Sequence, residues 1–144
     1  MDEAQKNRDV IRRIEEAWNK NNVAALDQYF DASYHNHAAV PGMPGGLQGA
    51  KMAHAMAMKA FPDRTVELVD IVADGDRVAI RTHVRGTNRG GAAWLGAPTG
   101  NDKKVDFESW AMYRLKGGKV TESWGINDGM LAMIQLGSLK PPQM

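Results

Sequence analysis

The stretch TVELVDIVADGDRVAIRTHVRG, residues 65–86, decides the fold. It is rich in Val, Ile and Thr and is broken once, at Asp74-Gly75, a dipeptide that favours a tight hairpin turn. It reads as two strands, 65–73 and 76–86. Segments 104–115 and 119–128 have the same character and are separated by Lys116-Gly117-Gly118, a second hairpin signal. Between the two pairs, 87–103 carries Gly90, Gly91, Gly96, Pro98 and Gly100 and reads as a loop or irregular edge.

Upstream, the period lengthens. Residues 3–19 predict an amphipathic helix, with Val10, Ile11, Ile14, Ala17 and Trp18 on one side and Arg12, Arg13, Glu15 and Glu16 on a solvated face. Asn19-Lys20-Asn21-Asn22 stops it, and a short helix over 23–30 follows. Residues 31–48, rich in Pro and Gly, read as irregular chain. A third helix over 49–60, with Met52, Met56 and Met58 as a soft apolar wall, ends at Phe61-Pro62-Asp63. The apolar tail Met130–Leu136 suits a final turn or a partner surface. Three helices ahead of an antiparallel meander make an α+β arrangement, expected as one domain over 1–144. A curved sheet with helices on its concave side encloses a pocket for a small molecule.

Lys and Arg total 18 against 17 Asp and Glu, scattered along the chain, which argues against nucleic-acid or membrane-surface binding. There is no cysteine, so disulfides, thiolate metal sites and a cysteine nucleophile are excluded. The start, Met-Asp-Glu-Ala-Gln, lacks the apolar core of a signal peptide, and no apolar run reaches the ~18–20 residues of a membrane span. A cytoplasmic protein is expected.

Trp18-Asn19, Tyr34-His35-Asn36-His37, Gly49, Phe61-Pro62-Asp63, Asp76-Arg77-Val78, Gly86-Thr87, Leu95-Gly96-Ala97-Pro98-Thr99-Gly100, Glu122-Ser123-Trp124, Asp128 and Gln135-Leu136-Gly137 occur in an order that resembles the SnoaL-like polyketide cyclases, also called ester cyclases, of the NTF2-like fold. The resemblance spans nearly the whole chain. It implies an NTF2-like cone, three N-terminal helices packed on a curved, mainly antiparallel sheet, without metal or organic cofactor and usually oligomeric. It also implies intramolecular aldol ring closure on a hydrophobic, polycyclic aromatic type of substrate. Asp128 holds the place of the family's acid–base aspartate, and His37 that of its loop histidine. Two positions where the family commonly has His carry Asn88 and Ser123 here.

Aldol closure needs a base for a carbon flanked by carbonyls, then a proton for the new alkoxide, and a carboxylate with a raised pKa can supply both. Alternation along the last strand puts Val120, Glu122, Trp124, Ile126 and Asp128 on one face. Asp128 would then end an apolar wall, where desolvation raises its pKa; the other reading is a cap for the turn that follows. His37 is the partner that polarises a carbonyl, or a loop residue bonded to backbone. His35-x-His37 lacks a third ligand, so no metal is expected. Arg81 and His83 share a face of their strand and line the pocket if that face is concave; in the pocket, Arg81 would pair with Asp128. Trp18, Trp110 and Trp124 suit stacking on a flat ligand, or core packing. Met56, with His35, completes the expected binding set.

Two other functions stay open. An epoxide hydrolase or isomerase would need Asp70, Arg81 and Asp128 around one water. A non-catalytic binding domain would leave Asp128 exposed or fully salt-bridged. The apolar tail and sheet exterior predict a homodimer or homotetramer.

Overall fold

A computed structural model describes residues 1–144. Helix α1 (Glu3–Asn19) starts at a capping box: Asp2 accepts from the Gln5 backbone N–H at 2.8 Å, and the Gln5 side chain accepts from Asp2 N–H at 3.0 Å. Its buried side holds Ile11, Ile14 and Ala17. Asn21, at φ 56, ends the helical path. A 3₁₀ turn, Val23–Gln28, buries Leu26.

Here the structure corrects the sequence reading. Residues 31–48 are not wholly irregular: β1 (Phe30–Asn36) is a strand, paired parallel with the last strand. It buries Phe30 and Tyr34, and its register breaks between Phe30 and His35. Helix α2 (Leu47–Ala60) begins two residues earlier than expected. The loop before it lies so close that a Cβ on Gly49 would sit 1.8 Å from the Pro44 carbonyl oxygen.

The meander follows as read: β2 (Thr65–Asp74), β3 (Arg77–Thr87), β4 (Lys104–Lys116) and β5 (Lys119–Asn127). Gly117 and Gly118 both take positive φ in the β4–β5 turn, as primed hairpin turns require. The order is β1-β5-β4-β3-β2, antiparallel except for β1 with β5. The apolar tail forms α3 (Gly129–Gln135), packed on β4 with Ala132 buried.

Register fixes the two faces. On β3, Val78, Ile80, Thr82 and Val84 are buried, opposite Tyr113, Ala111, Ser109 and Phe107 of β4. The alternate residues Arg81, His83 and Arg85 point outward into ion pairs, Asp70–Arg81–Glu108 among them. Two apolar clusters form the core. The first joins Ile11, Ile14, Leu26, Phe30 and Val120 to the sheet; the second joins Phe61, Ala92, Val105 and Leu136. No helix is long and apolar enough to cross a membrane.

Candidate functional site

The inner face of the sheet, with α1 and α2 laid over it, encloses a mostly apolar chamber of about 430 Å³. It touches Ile80 of the first cluster, and a smaller pocket of about 120 Å³ shares Arg64, Val84 and Trp94 with it and reaches Phe61 and Val105 of the second. This volume accommodates a small molecule of two or three rings.

Glu15 of α1 stands in the chamber wall. It is half-buried and keeps some accessible surface because it faces the cavity. Burial raises its pKa from the ordinary 4.5 to about 7, against the lowering effects of a Tyr113 hydrogen bond and the Arg64 charge. The Tyr113 hydroxyl donates to Glu15 Oε1 at 3.4 Å, and burial holds that phenol well above its usual range, so it stays a neutral donor. Arg64 comes from the turn between α2 and β2. Asp63, beside it, accepts from the Thr87 N–H and hydroxyl, both at 2.7 Å, and the Arg64 N–H bonds to the Phe61 carbonyl. The Arg64 guanidinium makes no hydrogen bond or ion pair within the protein, and burial lowers its pKa. His54 of α2 is buried against Trp18, with Nε2 at 2.8 Å from Asn21 Oδ1; burial and the Arg64 charge keep its ring neutral.

None of these polar groups belongs to the expected set. Its neighbours Arg12, Arg13 and Glu16 make Glu15 read as part of the solvated side of α1, yet the helical period places it roughly 40° from Ile11, within the same stripe as Trp18, while those three fall beyond it. A helical wheel therefore carried the signal. Tyr113 was legible from the alternation Phe107, Ser109, Ala111, Tyr113, Leu115. Arg64, a turn residue, had no periodicity to reveal it.

The expected residues are corrected as follows. Trp18 and Met56 do line the chamber. Asp128 does not: it is exposed, and its Oδ1 accepts from the Leu131 N–H at 3.2 Å as the cap of α3. The expected alternation along β5 breaks at a bulge after Val120: Val120 is buried in the core, while Glu122, Trp124 and Ile126 take the outer face, and Asp128 follows them. His37 is exposed as well, stacked on Trp124 and 2.9 Å from Glu122, with His35 edge-on to it. That contact, with Arg114, holds Glu122 below the usual carboxylate range. Arg81 and His83 lie on the outer face, in ion pairs. Trp110, 57% exposed, and Trp124 border an adjoining hollow of about 270 Å³ toward β1, which shares Trp18 and Tyr113 with the chamber, but neither tryptophan lines the chamber itself. Asp70 and Arg81 pair at 2.6 Å, but Glu108, not Asp128, is their third member, so the hydrolase set is not assembled. No group of three or more His, Cys, Asp or Glu side chains is placed to hold a metal ion.

Asn88 and Ser123 have structural partners instead. Asn88 is fully buried and donates to the Thr99 carbonyl and Asn101 Oδ1, both at 3.1 Å; the Ser123 hydroxyl lies 2.6 Å from that of Tyr34.

Helices closing the concave side of a curved five-stranded sheet over an apolar chamber define an α+β cone of the NTF2-like class. The family model described as SnoaL-like polyketide cyclase matches residues 8–136, and the chain belongs to that family. Among solved structures it is similar to a candidate polyketide cyclase from Bacillus cereus ATCC 10987, at 27% identity over 93% of this chain and 82% of that one, with a TM-score of 0.79. It is similar also to IdmH, a candidate polyketide cyclase from Streptomyces antibioticus, at 26% identity over 91% of this chain and 98% of that one, TM-score 0.78. AclR, a candidate hydroxylase from Streptomyces galilaeus, shares the fold at 24% identity over 97% of this chain and 86% of that one, TM-score 0.79. No curated protein matches the chain.

Proposed function

We propose that this chain is a cofactor-free carbon-acid enzyme of the polyketide cyclase type, acting as one domain on a hydrophobic ring-bearing small molecule, with Glu15 as general acid and base. The observation that carries the reading is a carboxyl group in an apolar chamber with a pKa of about 7, poised to give or take a proton at neutral pH. The Glu15 carboxylate removes a proton from a carbon flanked by carbonyls, and the electron pair moves onto a carbonyl oxygen as an enolate. The enolate carbon attacks a second carbonyl of the same molecule. The resulting alkoxide takes the proton back from Glu15, which restores the carboxylate. Tyr113, held neutral, orients Glu15 through their hydrogen bond. Trp18 and Met56 supply the apolar contact.

Asp128 has a different part here, as the cap of α3. Its exposure on its own would favour a binding domain without catalysis; Glu15 argues for catalysis. Enzyme-dependent loss of the α-hydrogen signal of a naphthyl β-diketone that carries a ring carboxylate, in D₂O, tests the reading, and exchange no faster than in buffer would refute it.

We further propose that two copies associate through the outer sheet face. Trp110 and Ile126 sit directly opposite each other there, 57% and 77% exposed, and Val72 is 65% exposed. Side chains of this size left in water favour a partner surface. Trp110→Glu is expected to convert a dimer into a monomer in light-scattering measurements, with Glu15-dependent exchange retained. A wild-type protein that stays monomeric at high concentration would overturn this.

A further inference from the structure

The chamber holds a cation without a counter-ion. Arg64 lines both the 430 Å³ chamber and the adjoining 120 Å³ pocket, so its guanidinium stands where the two meet. A desolvated charge costs several kcal/mol unless it is paired. The nearest carboxylate in sequence, Asp63, is committed to Thr87. Glu15, which faces the same space, makes no close contact with it, though the two charges act on each other across the cavity, and burial keeps the Glu15 carboxyl partly protonated. From the other elements, His54 of α2 stays neutral, Tyr113 of β4 gives only a phenol, and Arg85 of β3, at the smaller pocket, is already paired with Glu67 and Asp106. Nothing in the protein fills the guanidinium's fork of donors.

We infer that Arg64 is the anchor for a carboxylate on the ligand, so that the molecule accepted here is an apolar ring-bearing carboxylic acid rather than a neutral ester. Guanidinium and carboxylate match as two parallel hydrogen bonds. One cation in an apolar chamber suits a monoanion; a phosphate dianion would leave a charge unmet. The carboxylate occupies the junction at Arg64, and the rings lie in the larger chamber against Trp18. This deepens the cyclase reading by naming the substrate class, and it couples to Glu15. The Arg64 charge lowers the Glu15 pKa. A bound carboxylate neutralises that charge, so Glu15 takes up part of a proton on binding, and by linkage acid favours binding.

The probe pair is 2-naphthoate and its neutral isostere 2-naphthamide, titrated calorimetrically into wild type, Arg64→Met and Arg64→Lys at pH 7. Wild type is expected to prefer naphthoate at least ten-fold. Arg64→Met should lose that preference while binding naphthamide as wild type does, which also reports an intact chamber. Arg64→Lys should retain part of it. In buffers of different ionisation enthalpy, naphthoate binding should take up protons in wild type and not in Glu15→Gln. Equal binding of the two probes to wild type, no binding of either, or a preference that survives in Arg64→Met overturns the inference. If the preference behaves as expected but Glu15→Gln exchanges carbon-bound hydrogen like wild type, the carboxylate site stands and the cyclase reading falls.

Discussion

Glu15→Gln is expected to lower the rate of carbon-bound hydrogen exchange by about 10³-fold, within the range contributed by a positioned acid–base group. The same substitution should make the protein more stable at pH 8. The sign follows from the pKa. Burial raises the Glu15 carboxyl from 4.5 to about 7, so the folded chain holds this proton more tightly than the unfolded chain. Below about 4.5 the group is protonated in both states and costs nothing. Between 4.5 and 7 the folded state binds more protons, and stability falls as pH rises. Above 7 the deficit reaches at most about 3 kcal/mol. Gln keeps the shape and the acceptor for Tyr113 without the charge. Its melting temperature should therefore exceed that of wild type by several degrees at pH 8 and match it near pH 4.

Asp128→Asn is the control. Asn caps helices about as well as Asp, so activity and stability should both stay close to wild type. If Asp128→Asn silences exchange and Glu15→Gln does not, the base is at position 128 and the assignment to Glu15 is wrong. The pH profile gives a third reading. Because the ionised carboxylate starts the reaction, the wild-type rate should fall as pH drops through about 7. Arg64→Met, which removes a charge that favours ionisation, should move that fall to higher pH.

The sequence made the local elements legible and hid what depends on long-range pairing. Helix α1 and strands β2 to β5 announce themselves through period and turn residues, because those signals act within a few positions. Strand β1 does not: its partner is β5, some 90 residues away, and Phe30 and Tyr34 alone at its inner positions imitate a loop with two anchors. The facing of the sheet misled for a different reason. Both faces carry large apolar groups, Val78, Ile80 and Val84 inside and Trp110, Trp124 and Ile126 outside. Composition therefore does not say which side of β5 is concave, and the bulge after Val120 carries the residues from Glu122 onward to the outer face, so simple alternation puts Asp128 on the wrong one. On β3 the contrast between Val78, Ile80 and Val84 and the alternating Arg81, His83 and Arg85 does distinguish the two faces. Glu15 was hidden by its chemistry. A carboxylate beside three other charges reads as solvated face until its angle on the helix is set against Ile11 and Trp18.

The chamber's remaining wall depends on one residue, and removing it should have the largest structural effect. Asn88 is fully buried; its amide donates to the Thr99 carbonyl and Asn101 Oδ1, and its own oxygen accepts from the Gly91 N–H at 2.9 Å. Asn101 in turn donates to the Leu136 carbonyl at 3.1 Å, which ties the loop to the end of α3. The loop cannot shift to compensate: a Cβ on Gly90 would meet the Lys59 carbonyl oxygen at 2.0 Å, and one on Gly91 the Pro98 carbonyl oxygen at 2.2 Å. Asn88→Ala therefore strands buried donors and acceptors, each costing about 1–3 kcal/mol, so a loss of roughly 3 kcal/mol is expected. For a domain of this size that lowers the melting temperature by about 10 °C. Function should suffer in a distinctive way. The loop carries Trp94, which packs edge-on to Phe61 and walls both the chamber and the smaller pocket. Loosening it should weaken naphthamide binding and speed hydrogen exchange of the amides in 88–103, and, by letting water into the chamber, move the Glu15 pKa back toward its ordinary value. Asn88→Asp keeps the acceptor for Gly91 but loses both donors and should cost nearly as much. An Asn88→Ala protein with unchanged melting temperature and unchanged naphthamide affinity would show that the loop is held by its glycine contacts alone.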